Sequence, residues 1–209
     1  LDDGVQRLMR LTPAQAASLA QTGIKLRALP LPPKPLSNPR AVTFPTVVEP
    51  DPTIQGMIDQ ATTDMITNYT GGLSGEWPVT IGGSPYTIVT RHTLSGTPVQ
   101  KATQYVGEHL AALGLDVTYH MWNATRPPNV IGELPGQVNP DNIFIIGGHL
   151  DDMPSGGVAP GADDNASGAV ATLLAADIFT QYNWGCTLRF AFWMGEEQGL
   201  LGSAEYAAQ

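Results

Sequence analysis

The chain has 209 residues and a formal net charge of −9, from 10 basic and 19 acidic side chains. An acidic balance without a basic patch excludes a nucleic-acid-binding surface. No apolar run reaches the ~18 residues of a membrane-spanning helix, so the composition is that of a soluble globular protein with no membrane partner.

The first quarter of the sequence predicts an extension and a linker. In residues 1–29, the pair Thr12-Pro13 is typical of a helix start, so a helix is predicted over residues 13–22. A propeptide-like remnant and a packed helix are both open interpretations of this extension. Eight prolines fall within residues 30–52, which predicts an extended Pro-rich linker.

The sequence begins at Leu1 and not at a methionine, which suggests a processed product. A signal peptide would already have been removed from such a product. We therefore expect a secreted or periplasmic protein.

Residues 53–209 carry the periodic patterns of a folded domain. Apolar residues at helical spacing predict helices over residues 53–69 and 97–113, and His109 on the second apolar stripe is interpreted as structural. The remaining runs predict strands over residues 115–122, 129–134, 142–146 and 186–193, and a helix over residues 167–179. The run at 142–146 is nearly continuous in apolar residues, which is typical of a strand buried on both faces of a parallel sheet.

Three polar motifs follow the ends of these last elements. Residues 147–152 read GGHLDD, residues 161–168 read GADDNASG, and residues 195–199 read GEEQG. The first and third motifs follow strands, and the second leads into the helix between them, with Ser167 as the expected N-cap. In open α/β sheets, ligands bind at the carboxyl ends of the strands, so the three motifs predict one site.

The residue types in these motifs suit zinc. One imidazole and several carboxylates form a nitrogen and oxygen ligand set that zinc accepts. Asp151 can accept the second ring N–H of His149 and fix its tautomer. Taken alone, paired acids in a glycine-rich loop more often mark a turn. The conjunction of three motifs in this order carries the prediction of a metal site.

The motifs resemble those of the di-zinc, co-catalytic aminopeptidase family, which includes secreted bacterial leucyl aminopeptidases. This resemblance implies that His149 is a ligand of one zinc, that Asp164 bridges two zinc ions and that Glu197 is a ligand of the other. It also implies that Glu196 is the general base and that Asp151 is the partner that orients His149. A cis peptide bond directly after Asp164 is a further family feature.

The expected fold is α/β, with three layers of helix, sheet and helix around a central, largely parallel mixed sheet of the zinc exopeptidase kind. The family has two further metal ligands, an acid and a histidine, downstream of the Glu-Glu motif. We therefore expect a domain that is incomplete at its C-terminus, with residues 53–209 forming its N-terminal part. A missing C-terminal segment or a second chain would complete the metal site.

The function that the resemblance implies is that of a zinc-dependent exopeptidase, and specifically an aminopeptidase acting on peptides. A water bridging two zinc ions would attack the scissile carbonyl, and Glu196 would take its proton. Two alternatives stay open. One is a catalytically inactive fragment or binding module of the same fold, and the other is a carboxypeptidase or dipeptidase.

Overall fold

The computed structural model describes residues 9–22, 26, 50–154 and 157–209. Helix α1 spans Pro13–Ala20, which confirms the predicted helix near the start of the chain. It begins with a capping box, in which the Thr12 hydroxyl accepts from the Gln15 N–H at 3.3 Å and the Gln15 side chain accepts from the Thr12 N–H at 2.8 Å. Most of the predicted linker, residues 30–49, lies outside the described residues. The division into 1–29, 30–52 and 53–209 stays a prediction.

Two helices replace the single helix expected over residues 53–69. Helix α2 spans Pro52–Gln60 and helix α3 spans Thr63–Ser74. The break occurs at Thr62, because its hydroxyl accepts from the Met65 N–H at 3.3 Å and caps a new helix. The apolar periodicity continues through this point, which is why the sequence pattern alone did not divide the segment.

The remaining elements form a small hairpin and a four-stranded sheet with its helices. Strands β1 (Val79–Ile81) and β2 (Ser84–Tyr86) pair as the hairpin, and helix α4 spans Thr97–Ala112. The four strands of the sheet are β3 (Asp116–His120), β4 (Asn129–Leu134), β5 (Asn139–His149) and β6 (Cys186–Trp193). Helix α5 spans Ser167–Phe179 and helix α6 spans Leu201–Ala207. None of the helices in the described ranges is long and apolar enough to cross a bilayer.

The sheet has the order β3-β4-β6-β5 and is mixed, as expected. Its parallel share is smaller than predicted, because among the four described strands β5 and β6 pair in parallel, whereas β3–β4 and β4–β6 are antiparallel. Helices lie on both faces. Leu188, Phe190 and Phe192 of β6 join the apolar core that α4 and α5 cover, and Arg189 and Trp193 contact Tyr206 of α6. This alternation is the period of two that a strand dictates.

The expectation that residues 142–146 are buried on both faces is wrong. The side chains of Ile143, Phe144 and Ile145 are 41%, 60% and 47% exposed. Strand β5 pairs with β6 along one side and lies at an edge of the sheet as described. Only from Ile146 onward does the strand pack against the core. The apolar residues at the start of this strand are therefore exposed, and those at its end are packed against the core.

Three helices are joined by one polar cluster. Asp177 of α5 accepts a hydrogen bond from the Tyr69 hydroxyl of α3 at 2.6 Å, and its other carboxylate oxygen lies 2.7 Å from His109 Nε2 of α4. The rings of Tyr69 and His109 meet edge to face, with centroids 5.4 Å apart. Burial and the bond to Asp177 raise the pKa of Tyr69. His109 thus has the structural role that its position on the apolar stripe predicts.

Replacing Asp177 by alanine should destabilise the fold by about 1–3 kcal/mol, because two partly buried polar groups lose their acceptor. The measurement is the free energy of unfolding from denaturant titration. Asp116→Ala, which removes an exposed carboxylate on β3, is the matched control and should change stability by less than about 0.5 kcal/mol. Equal effects of the two substitutions would contradict this role for Asp177.

Candidate metal centre

His149 is the last residue of β5, and its ring lies between two oxygen atoms. Nδ1 is 3.0 Å from the main-chain carbonyl of Asp151, and Nε2 is 3.2 Å from Oδ1 of Asp164. A carbonyl oxygen can only accept, so Nδ1 carries the proton. In the neutral ring, Nε2 is therefore the nitrogen whose lone pair faces the acidic groups.

The two glutamates reach His149 because of the strand pairing. Strands β5 and β6 are parallel, with His149 opposite Trp193, so the C-terminal ends of both strands lie at the same edge of the sheet. After β6 the backbone turns at Gly195, which has a φ of +76° that favours glycine. Glu196 and Glu197 follow directly. His149, Glu196 and Glu197 each place one ligand atom within 4.8 Å of the others, and Glu197 is 1% exposed.

The acidic loop leads into α5 and brings Asp164 to His149. The peptide bond between Asp164 and Asn165 is cis. The expectation that Ser167 caps α5 is wrong, because the Ser167 hydroxyl donates back to the Asp163 carbonyl at 2.7 Å. Asn165 supplies the capping oxygen instead, accepting from the Gly168 N–H at 2.8 Å. Asp164 is left with its side chain 58% exposed.

The carboxylate of Asp151 does not accept the expected hydrogen bond from the His149 ring. Its carboxylate lies 3.9 Å from His149 Nδ1, and the main-chain carbonyl of Asp151 takes the hydrogen bond instead. The buried carboxylate accepts from the Thr93 hydroxyl at 2.8 Å and from the Glu196 N–H at 3.3 Å. Burial raises the pKa of the Asp151 carboxyl, and the bond from Thr93 opposes that rise. Asp151 thus joins the histidine segment to the glutamate segment.

Three residues that support the site were missed by sequence reasoning. Thr93 holds Asp151, and the buried Asn129 accepts from the Met194 N–H at 2.8 Å while donating to the Gly202 carbonyl at 2.9 Å. These bonds fix both flanks of the glutamate turn. Arg91 is fully buried beside the histidine segment. None of the three lies in a motif, and each acts on residues about 60 or more positions away.

The donor set fits zinc. His149 Nε2 and the Asp164 carboxylate are both acceptors when the ring is neutral, and two acceptors 3.2 Å apart repel each other unless a cation lies between them. The carboxylates of Glu196 and Glu197 reach the same ring. Nitrogen and oxygen ligands of these types, converging on one point, match the preference of zinc. His149, Glu196 and Glu197 form the group that could hold a metal ion. Asp164 is not part of that group but lies 3.2 Å from the same ring.

Residues 129–209, which include all three motifs, match the family model of Peptidase family M28. The three motifs thus lie in a segment that is similar to this family. The match covers the strands that carry the site and every residue predicted as a ligand or catalytic group. It does not extend over the helices that precede β4.

Relatives and solved structures agree with this assignment. The chain is 40% identical over 80 residues to the probable leucine aminopeptidase 2 of Aspergillus oryzae, covering 38% of this chain and 15% of that protein. It is 33% identical over 146 residues to the leucine aminopeptidase 2 of Trichophyton rubrum, covering 66% of this chain and 26% of that protein. This chain therefore spans about a quarter or less of the length of these relatives.

The structure of LapB from Legionella pneumophila superposes on 78% of this chain and 43% of its own, with a TM-score of 0.64 and 20% sequence identity. At this level of identity the likeness shows the fold alone. It supports the α/β arrangement of a mixed sheet between helices, which the sequence predicted.

Zinc should raise the thermal stability of the complete protein, and a chelator should lower it. Binding to the folded state stabilises by about 2.7 kcal/mol when free zinc is about 100 times Kd. His149→Gln should abolish most of this response, because it removes the imidazole from the cluster of His149, Glu196 and Glu197. Glu205→Gln on the exposed side of α6 is the control and should respond like the wild type. A zinc-dependent shift in Tm that survives His149→Gln would contradict the site.

Gly161→Ala should weaken zinc binding about tenfold or more. Gly161 has a φ of +43°, and a Cβ there would collide with the Asp152 carboxylate and the main chain of Asp164. The acidic loop would have to move away from His149. Gly83→Ala is the matched control, since Gly83 also has a positive φ but faces open space. The measurement is zinc titration of both variants. Backbone strain affects both of them, but only Gly161→Ala displaces Asp164, so equal zinc Kd values for the two variants would refute the prediction.

Proposed function

We propose that the protein is a zinc-dependent aminopeptidase that hydrolyses N-terminal residues from peptides. The observation that carries the proposal is the convergence of His149, Glu196 and Glu197 at the ends of two parallel strands, within the segment that matches the M28 family. The names of the relatives agree, since those of Aspergillus and Trichophyton are leucine aminopeptidases. An N-terminal leucine is accordingly the first residue to test.

The proposal gives two zinc ions to the site. Asp164 would be shared between them, with His149 on one ion and Glu197 on the other. When bound, zinc would supply Lewis-acid chemistry, polarising the scissile carbonyl and making the attacking water more acidic. A catalytic zinc usually has three protein ligands. We therefore assign the remaining ligands to polypeptide outside residues 1–209, in the same protein or a partner chain.

Glu196 is the residue that we propose as general base. It is partly exposed, whereas its neighbour Glu197 is buried, so Glu196 can meet substrate and water. Its backbone is held on both sides: its N–H donates to Asp151, and its carbonyl accepts from Gly199 and Leu200 at 2.8 and 2.9 Å. A carboxylate on such a fixed turn can take the proton of the attacking water and deliver it to the leaving amine.

Asp151 is proposed to act through other residues. Its carboxylate holds the Glu196 N–H, and its carbonyl sets the tautomer of His149. It would thus position a base and a ligand together without touching the substrate. Export from the cytoplasm, to the periplasm or the medium, stays a prediction.

Glu196→Gln in the complete protein should lower kcat by about 10²- to 10⁴-fold while zinc affinity stays near the wild-type value, because only the proton acceptor is lost. The measurement is hydrolysis of leucine anilide, combined with zinc titration. Glu205→Gln is the control and should keep full activity. A Glu196→Gln variant with near-normal kcat would show that another residue is the base.

The same assay separates the alternatives. Cleavage of peptides with a free N-terminus, and not of N-acetylated peptides, identifies an aminopeptidase. Cleavage of N-acetylated peptides from the other end would identify a carboxypeptidase, and cleavage of dipeptides alone a dipeptidase. Zinc binding without hydrolysis of any of these would favour a binding module of the same fold.

A further inference from the structure

Arg91 lies in the segment between β2 and α4, and its guanidinium is fully buried. Within the described residues, the hydrogen-bond acceptors of its side chain are main-chain carbonyls. Nη1 donates to Leu73 and to Pro160 at 2.5 and 2.6 Å, Nη2 donates to Gly161 at 2.8 Å, and Nε donates to Leu150 at 2.8 Å. One side chain thus joins three separate parts of the chain.

Two of these parts carry the metal centre. We name residues 149–152 the histidine arm and residues 159–164 the aspartate arm. The backbone of Arg91 also lies between them, since its N–H donates to the Ala159 carbonyl at 2.8 Å and its carbonyl accepts from the Asp152 N–H at 3.2 Å. Five of the six hydrogen bonds of Arg91 therefore end on one arm or the other. The sixth, to Leu73, fixes the assembly to the end of α3.

The charge of Arg91 is retained in this buried place. Desolvation lowers the pKa of its guanidinium to about 10, and the neighbouring carboxylates of Asp152 and Asp151 oppose that fall. The group is still a cation at neutral pH. A buried charge is costly unless its donors are satisfied, and here carbonyl dipoles and two acidic neighbours satisfy it.

We infer that Arg91 is a positioning residue for the metal centre, which sets the separation of His149 and Asp164 by clamping the main chains of their two arms. This inference rests on the proposed function, since it concerns the same site. It assigns a role in that site to a residue of the segment that precedes the family match.

The geometry requires arginine in particular. Four carbonyls accept from three different nitrogens of the guanidinium, and a planar fork with five N–H groups can serve them together. A lysine keeps the charge but presents a single nitrogen with three donors. It would leave part of the clamp unmade while disturbing the net charge of the site very little.

The test compares Arg91→Lys with Arg189→Lys in the complete protein. Arg189 makes side-chain bonds to Glu133 and Tyr206 on the other face of the sheet and serves as the matched control. The readouts are zinc Kd by competition with a chelator, the absorption spectrum of the Co²⁺-loaded protein, and circular dichroism of the zinc-free form. The expected result for Arg91→Lys is a zinc Kd about 10- to 100-fold weaker with an altered Co²⁺ spectrum, as for other residues that support ligands indirectly. Arg189→Lys should keep the wild-type Kd and spectrum.

An Arg91→Lys variant that is folded and binds zinc within twofold of the wild type would overturn the inference alone. Absence of zinc binding by the wild type would overturn the proposed function, so the two failures are distinct. If Arg91→Lys does not fold, a measurement on the wild-type protein still tests the inference. Hydrogen exchange of the Arg91 Nε–H, followed in ¹⁵N-labelled protein, should be at least tenfold slower with zinc bound, and equal rates would overturn the inference.

Discussion

The parallel pairing of β5 with β6 is the constraint on which the site depends. It places His149 opposite Trp193, so the histidine and the two glutamates leave the same edge of the sheet although almost fifty residues separate them in sequence. The crossover between the strands is α5, and its N-terminal loop returns Asp164 to the same edge. The proposed ligand set is drawn from three segments, and one register brings them together. A slip of one residue would turn His149 to the opposite face.

The chemistry of the site is governed by an excess of negative charge, part of which is buried. Asp151 and Asp152 are buried, and burial raises the pKa of both carboxyl groups. Glu197 is buried nearby, and Arg91 is the buried cation beside them. Carboxylates held this close together favour the binding of a divalent cation, whose charge is the strongest local compensation available. Arg91 contributes charge and also geometry, because its guanidinium donates to main-chain carbonyls of the two arms and of Leu73.

Features that depend on neighbouring residues in the sequence were predicted well, and features that depend on distant parts of the chain were not. Strands β4 and β6 and helices α4 and α5 were predicted closely, because their periodicity and end signals are local. The burial of residues 142–146 was not, because an apolar strand is compatible with any position in a sheet and only its neighbours decide its exposure. The break between α2 and α3 was missed because the apolar stripe continues through it, and a single capping threonine is a weaker signal than that stripe. The share of parallel pairs was overestimated for the same reason as the burial of β5: strand order is a property of the whole sheet.

The sequence by itself determined the types of donor at the site and the elements that carry them, because each motif lies within a few residues of a strand or helix end. It therefore predicted that the three motifs meet at one site, and the family resemblance singled out His149, Asp164, Glu196 and Glu197 within them. Only the tertiary structure decided how these groups are held. The Asp151 carboxylate binds Thr93 and the Glu196 N–H in place of the His149 ring, and Arg91 clamps carbonyls 59 and 70 residues away. Bonds to main-chain carbonyls leave no pattern in the amino-acid sequence, because every residue offers the same acceptor.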